Sequence, residues 1–509
     1  MKQIYNLILL SFFITFYSFS QESINARLLD SISKKPISYA TISINNNSGV
    51  ISNDRGKFLI HLSKKQAKRD SLLIRCMGYE TKRIAARNFT DTIVFLNPKS
   101  IELEEVLVSN KTYTPEEIIE KVKENLNSNY TSNFIKSKLF YRESNYTNVL
   151  KNHVEVKKTT IPEFNQNFID SVLTAMPKNA DEHTEILANV FGKPGVVESQ
   201  KLDIIKASHL YDKSTEITFE GYEEKFNAII KKHVKRDSYF KIKSGVFGTK
   251  EAIDSTFFED TNSKEAKQTQ EIVEQQKKQE QERKNDFLKY RKTSISKLQR
   301  NSFVFNNSDL NFIEKSNKYI FTLEDYSFLN DDFVYILSFK PKRNADYSGT
   351  LYINTDDFAI VRVDYKNVKP LKTFNLLGLS YNYNLKKGTL IYNKNNLDKY
   401  ALQYVDLEEV SKFGIKRPLK IIEKNKHTKG RRRQNELSTD LHFIMAARKK
   451  QEIVIFENTT ITETNFTNFT EKPKVKPIYL PKYDPEFWKG YNIIEPNQAI
   501  KDFKSIELK

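Results

Sequence analysis

Residues 48–58 read SGVISNDRGKF, and they place two glycines close together in a chain with only 14 Gly among 509 residues. Gly49 and the run Asn53-Asp54-Arg55-Gly56 supply turn conformations that residues with a Cβ adopt poorly. Upstream, TISIN (41–45) alternates apolar and polar residues. Downstream, KFLIHL (57–62) is apolar with β-branched content, so strands flank the turns on both sides. The stretch predicts a hairpin within a β-rich module, with Gly49, Gly56 and Gly78 in turn or strained backbone.

Working outward, Ile24 to Val108 continues as short strand-like runs at a spacing of roughly eight to twelve residues, the pattern of a small antiparallel sandwich. Ahead of it, Lys2 is a short basic start, Leu7–Phe19 is an apolar run, and Ser18-Phe19-Ser20 fits a small-x-small cleavage site before Gln21. The run is shorter than the roughly 18 apolar residues of a spanning helix, and no other segment approaches that length. A signal peptide over 1–20 is expected, and with it a chain exported to the periplasm, associated with the outer membrane or displayed at the cell surface. Cys76 is the single cysteine, so no internal disulfide forms and burial alone holds the fold. It reads as a small buried hydrophobe at a strand.

After the sandwich, Thr114-Pro115-Glu116-Glu117 has the order of a helix start, with Thr as N-cap, Pro at the first position and Glu three residues on. Ile118, Ile119, Val122 and Leu126 give that helix one apolar face, and FIKSKLFYRES (134–144) returns to strand character. Helices are expected at 182–191 and 198–212. Residues 262–300 have strong helix formers but almost no apolar stripe before Phe287, and they read as a polar helical or disordered insert. Beyond 302 the period is two again, through KYIFTLE, DFVYILSFKP, YSGTLYINT, FAIVRVDYK, LGLSYNYNLKKGTLIYN, YALQYVDLEEV, FGIKRPLKII, LSTDLHFIMA and EIVIFENTTI. Short connections make neighbours pair in one broad, curved antiparallel sheet that a helix could cover. The expected organisation is a sandwich over 22–110, an α+β domain over 111–470 and an extended, proline-rich tail over 471–509.

The first module resembles the carboxypeptidase-regulatory-like domain, a transthyretin-like seven-stranded β-sandwich common in exported proteins of Bacteroidetes. The likeness is carried by Pro36 with Tyr39-Ala40, Gly49, Ser52-Asn53-x-x-Gly56-x-Phe58, Met77-Gly78-Tyr79-Glu80, and Leu96-x-Pro98 followed by Leu103 to Val108. Ala26 stands where a Gly often follows the first strand. YSGTLYINTDDFAIVRVDY (347–365) is similar in strand periodicity to the sheet of periplasmic lipoprotein-carrier proteins, whose half-barrel holds acyl chains. The fold class these readings imply is mostly β with some α: a sandwich followed by a larger α+β domain with a curved antiparallel sheet.

Catalytic constellations are sparse. None of the seven histidines has Glu three residues later, no HExxH occurs, and no Gly-x-Ser-x-Gly elbow or phosphate-cradling glycine loop is found. Asp331-Asp332 and Asp356-Asp357 sit beside strand ends, where turn chemistry accounts for Asp. No catalytic, cofactor-binding or metal residues are therefore assigned. The formal charge of +18 is spread along a Lys-, Asn- and Ile-rich chain and does not call for nucleic acid. Locally, KNKHTKGRRR (424–433) concentrates Lys424, Lys426, Lys429, Arg431, Arg432 and Arg433 in one loop, a candidate contact for anionic lipid head groups or lipopolysaccharide phosphates. The functional expectation is a non-enzymatic cell-envelope protein that binds or scaffolds an envelope partner on the periplasmic side of the outer membrane. The alternatives are a lipid or acyl-chain carrier or sensor using the curved sheet, and a hydrolase with an unrecognised site.

Overall fold

A computed structural model describes residues 22–45, 49–99, 113–131, 133–235, 238–245, 247–252, 287–329, 332–342, 344–395, 397–425, 427, 432–472 and 475–506. The signal-peptide reading over 1–20 lies outside them. The chain divides into two compact units: Met1–Val108 with Ser327–Asp332 and Asp484–Asn497, and the rest, Ser109–Tyr326, Phe333–Tyr483 and Gln498–Lys509.

Seven strands build the first unit: β1 (Glu22–Asp30), β2 (Thr41–Ile44), β3 (Gly49–Ile51), β4 (Lys57–Leu62), β5 (Ser71–Arg75), β6 (Lys82–Ala85) and β7 (Ile93–Leu96). They form one sheet in the order β4-β1-β7 and another in the order β3-β2-β5-β6, which is the seven-stranded sandwich expected. Leu28, Ile42, Phe58, Ile60, Leu72 and Ile74 are fully buried in it. Burying each such side chain contributes roughly 1.5–3 kcal/mol before entropy is counted. One pairing departs from the antiparallel expectation, since β7 runs parallel to β1. Gly56 takes a left-handed φ of +73° at the turn into β4, and Gly78 one of +78°. Gly49 differs from expectation, because it sits in strand β3 and its role is close approach: a Cβ there would lie 2.2 Å from Ile42 O across the β2–β3 pair. Cys76 follows β5 and is half-buried rather than enclosed. Short helix α1 (Lys64–Arg69) closes the β4–β5 connection through a Ser63–Gln66 capping box.

The second unit holds a 14-stranded sheet. Its strands are β8 (Ile135–Thr159), β9 (Asn179–Gly192), β10 (Gln200–Leu210), β11 (Ser238–Ser244), β12 (Phe247–Ala252), β13 (Tyr319–Leu329), β14 (Asp332–Pro341), β15 (Tyr347–Asn354), β16 (Ile360–Asn367), β17 (Lys372–Leu376), β18 (Leu379–Lys394), β19 (Tyr400–Asn425), β20 (Arg433–Thr460) and β21 (Ile478–Leu480). The main order is β13-β14-β15-β16-β18-β19-β20-β8-β9-β10-β21, with β17 beside β18 and the β11–β12 hairpin on β19. Sequential pairing holds from β13 to β16 and from β17 to β20, as the short connections predict, while β16 skips β17 to pair with β18. Two pairs of expected strands are each one long strand: 400–410 with 413–422 in β19, and 437–446 with 452–461 in β20. The helices expected at 182–191 and 198–212 are strands β9 and β10. Pairing of β9 with β8, and of β10 with β9, overrides their local propensity.

Helix α2 (Pro115–Asn129) begins with the Thr114–Glu117 capping box read from the sequence, and it buries Ile118, Ile119 and Val122. The α3 helix (Gln166–Ala175) and the Lys178 backbone serve the stretch of β8 that outruns β9. Val149 N donates to Lys178 O at 2.8 Å, and Val156 N donates to Gln166 Oε1 at 2.8 Å. The α4 helix (Ser214–His233) packs Ile230 against Ile161 and Phe164. Of the proposed insert over 262–300, residues 262–286 fall outside the described region, and 287–300 form helix α5. That helix corrects the reading of an exposed polar segment, because Leu288, Ile295 and Leu298 are buried. Short helices α6 (Glu463–Asn468) and α7 (Gln498–Lys501) complete the unit. Among the described residues, no helix is long and apolar enough to cross a membrane.

Candidate functional site

Where β20, β8, β9 and β10 lie side by side, their central residues are charged. Arg142 pairs across the sheet with Glu185 on one side and Glu452 on the other, and Glu185 pairs with Ser208. Because strand residues alternate between faces, Glu143, Thr184, His209 and Gln451 form a second row on the opposite face.

The first row is buried. Arg142 donates from Nε to Glu185 Oε1 at 2.7 Å and reaches the same oxygen from Nη2 at 2.7 Å. Glu452 Oε2 lies 3.7 Å from its Nη1. Both Arg142 and Glu185 are 1% exposed. Burial works against the guanidinium charge, but the Glu185 and Glu452 carboxylates more than restore it. Two residues along, His183 Nδ1 lies 2.9 Å from Ser144 Oγ, both side chains being buried. Burial, with the nearby Arg142, pushes the imidazole down to about 4.

In the second row Glu143 is the hub. It accepts from Arg291 of α5 at 2.6 Å, from Tyr141 OH at 2.7 Å and from Gln451 Nε2 at 3.0 Å, and the Lys449 ammonium lies 3.0 Å away. Burial alone would raise this carboxyl, but Arg291 and Lys449 overcome it and hold it at about 2. Glu182 lies 2.7 Å from His209 Nε2, a hydrogen bond that lowers the Glu182 pKa.

This second row borders an open cleft of about 1780 Å³, whose lining includes Glu143, Glu182, His209, Arg291, Tyr211 and Tyr479. The His209 and Tyr211 rings are 4.5 Å apart, and Tyr211 meets Tyr479 edge to face at 5.1 Å. The Lys213 ammonium sits 3.8 Å over Tyr479. Across from them, Tyr290 of α5 is 65% exposed. No part of this site was singled out in the sequence. The signal available was charge inside apolar strands: Arg142-Glu143 in FYRES, and Glu182-His183 with Glu185 in EHTE.

Paired-carboxylate hydrolysis needs one acid held protonated, whereas Glu143 and Glu182 are both held low. Asp181 also borders the cleft and is raised by burial, with Arg448 opposing that shift. Among the described residues, Ser144 and His183 have no orienting third group: Nδ1 faces the serine, and Nε2 has no hydrogen-bond partner. Among the described residues, no three His, Cys, Asp or Glu side chains converge as metal ligands would.

The basic loop forms the end of the β19–β20 hairpin, with Lys424 opposite Arg433. Lys426, Lys429 and Arg431 lie outside the described residues, Arg432 is exposed, and Arg433 pairs with Glu436. The β11–β12 hairpin extends this patch in a way the sequence did not reveal. The Lys241 ammonium is depressed first by Lys243 and further by Lys424 and Lys250, so like charges converge there. Asp356 and Asp357 are turn residues: their backbone N–H groups donate to Asn354 Oδ1 at 2.8 and 3.3 Å. Asp332 opens β14, and Asp331 is outside the described residues.

The late-strand aromatics mostly pack the core, as with Phe312 on Phe339 at 4.6 Å and Tyr130 on Tyr392 at 5.3 Å. The apolar cavity beside Tyr130, Tyr392 and Tyr400 is about 30 Å³, roughly the share of one water in the liquid. Farther along the same face, a half-exposed apolar row crosses Phe374, Tyr381, Phe413, Met445 and Val149.

Residues 25–108 match the family model described as CarboxypepD_reg-like domain. No curated protein matches the chain at a significant level. Among solved structures, an outer membrane lipoprotein-sorting-like protein domain from Vibrio parahaemolyticus is 9% identical, covering 69% of this chain and 97% of that one with a TM-score of 0.20. MucB in complex with MucA is 6% identical, over 65% of this chain and 94% of that one, with a TM-score of 0.16. The MucA/MucB complex of Pseudomonas aeruginosa is 5% identical, over 65% and 93%, with a TM-score of 0.14.

Proposed function

We propose that this is an exported, non-enzymatic envelope protein that holds a ligand or partner on the periplasmic side of the outer membrane. The observation that carries the reading is the state of the cleft's ionisable groups. Glu143 is locked by Arg291 and Lys449, and Glu182 is engaged by His209. Groups fixed in pairs recognise and orient, whereas catalysis needs a proton donor or nucleophile poised near neutrality. The apolar run Leu7–Phe19 supports export. The CarboxypepD_reg-like sandwich supplies sheet edges and loops for a protein partner. The cationic patch of Lys241, Lys243, Lys250 and Lys424, with Arg432, suits contact with anionic lipid or lipopolysaccharide phosphates.

Proximity labelling by the native protein is expected to mark envelope proteins. Labelling confined to cytoplasmic proteins would overturn the reading. The half-exposed apolar row from Phe374 to Val149 favours a second reading, an acyl-chain carrier or sensor. Native mass spectrometry after gentle purification decides this one, because a carrier retains a stoichiometric lipid and a scaffold does not.

A further inference from the structure

We infer that the cleft beside β9, β10 and α5 is a binding site for a neutral glycan chain. The inference rests on the reading of the protein as one that binds without reacting, and it names the ligand class. Size gives the first argument. At about 1780 Å³ the cleft exceeds the ~300–1,000 Å³ usual for a single small molecule, and it is open, so it suits a length of polymer.

Charge gives the second. Five Lys or Arg side chains and five carboxylates line the cleft, so its walls carry no net charge to attract an anionic or a cationic chain. An acyl chain fits poorly as well, because it would desolvate those ten charged groups without offering them a hydrogen bond. Sugar hydroxyls both donate and accept, and a wall of interspersed carboxylates and cations presents a partner for each role.

Aromatic geometry gives the third. Tyr211 and Tyr479 meet edge to face at 5.1 Å, which makes a stepped wall, and Tyr290 stands exposed on the α5 side. Sugar rings present apolar C–H faces that lie against such rings while their hydroxyls reach the polar rim. A peptide ligand is less well served. Extended peptides bind by main-chain pairing to an open strand edge, and the edge of β10 at the cleft, Ser208–Leu210, is already paired with β21.

The test is affinity electrophoresis of the full mature chain through gels cast with neutral polysaccharides: a glucan, a mannan, a galactan and a xylan. Retardation in at least one gel is expected, with tenfold or greater loss of affinity in Tyr290→Ala and in Tyr479→Ala. Tyr290 is exposed, so its variant keeps the fold and reports on the site. Free passage through all four gels would overturn the inference, as would retardation unchanged in both variants. Retention of a peptide library that Tyr290→Ala abolishes would assign the cleft to peptides and overturn it too. Release of reducing ends from a retarding polysaccharide would overturn the non-enzymatic reading instead. Free passage combined with envelope labelling would leave that reading standing without the glycan.

Discussion

Replacing Gly56 with alanine tests whether the backbone geometry of the SGVISNDRGKF turn holds the sandwich together. Gly56 has φ +73°, and a Cβ there would lie 2.4 Å from Leu28 O and 3.2 Å from both Ile37 N and Ile37 O. A left-handed conformation costs an L residue about 1–2 kcal/mol. The clash has no easy outlet, because Leu28 O already accepts from Ile37 N at 3.1 Å and Leu28 N donates to Gly56 O at 2.8 Å. Losing one of those bonds adds about 1 kcal/mol, for a total of about 2–3 kcal/mol. A domain of this size shifts its melting temperature by about 4–8 °C per kcal/mol, so the sandwich transition should fall by roughly 8–24 °C in scanning calorimetry of the full chain. Gly56→Asn separates the two causes. Asn tolerates positive φ but carries the same Cβ, so it should recover only part of the loss. A Gly56→Ala profile superimposed on that of the wild type would refute the reasoning, and full recovery by Asn would remove the clash from it.

Arg142→Ala should cost about 3–5 kcal/mol in urea unfolding, because it leaves Glu185 charged and buried; Arg142→Met with Glu185→Leu should recover much of it. Glu143 is depressed to about 2, so its contribution, on the order of 3 kcal/mol, is present above the ordinary carboxylate range and is lost as pH falls through about 2; Glu143→Gln should flatten stability against pH between about 5 and 2. His183, held near 4, likewise contributes stability above its ordinary range, which is lost on acidification from about 6.5 to 4, and His183→Gln should remove that earlier limb from a pH series of melts. Lys241→Glu with Lys250→Glu should weaken co-sedimentation with phosphatidylglycerol vesicles at low salt and leave neutral vesicles unaffected, the like-charged cluster being the only thing changed.

The sandwich was legible because its turn residues have few other uses. Gly56 and Gly78 were assigned from turn chemistry and are left-handed, and the Thr114–Glu117 capping box starts its helix where the spacing puts it. Gly49 departs from the turn reading because a glycine needed for close strand approach looks the same in sequence as one needed for φ. The strand β9 reads as helix because HTEILANVF carries local preference for both states, and only its pairing with β8 and with β10 decides between them. Long-range pairing also hid the cleft. Glu143, Arg291 and His209 are far apart in the chain and meet only when α5 crosses a sheet whose order no local pattern encodes. The basic loop was visible as a charge run, yet its continuation onto Lys241, Lys243 and Lys250 required the β11–β19 pairing.

Strands as long as β8, β19 and β20, with 25, 26 and 28 residues, raise a problem that alternation does not solve. Period-two patterning fixes which face a residue takes, but a slip of two residues preserves every face. The charged belt removes that freedom. Shifting β8 by two against β9 would set Arg142 opposite Leu187 or His183 in place of Glu185, stranding two buried ions at several kcal/mol each. Bulges at Leu150 and Lys157 of β8 and at Phe456 of β20 reinforce one alignment of the pair. Gly388 adds another constraint, because a Cβ there would meet Asp406 O at 2.3 Å, so only glycine fits that level of the β18–β19 pair. The row that fixes register on one face backs the row that faces the cleft on the other, since Arg142 and Glu143 are consecutive residues. A ligand in that cleft meets side chains whose positions the whole sheet determines, and this preorganisation lets the site bind with specificity.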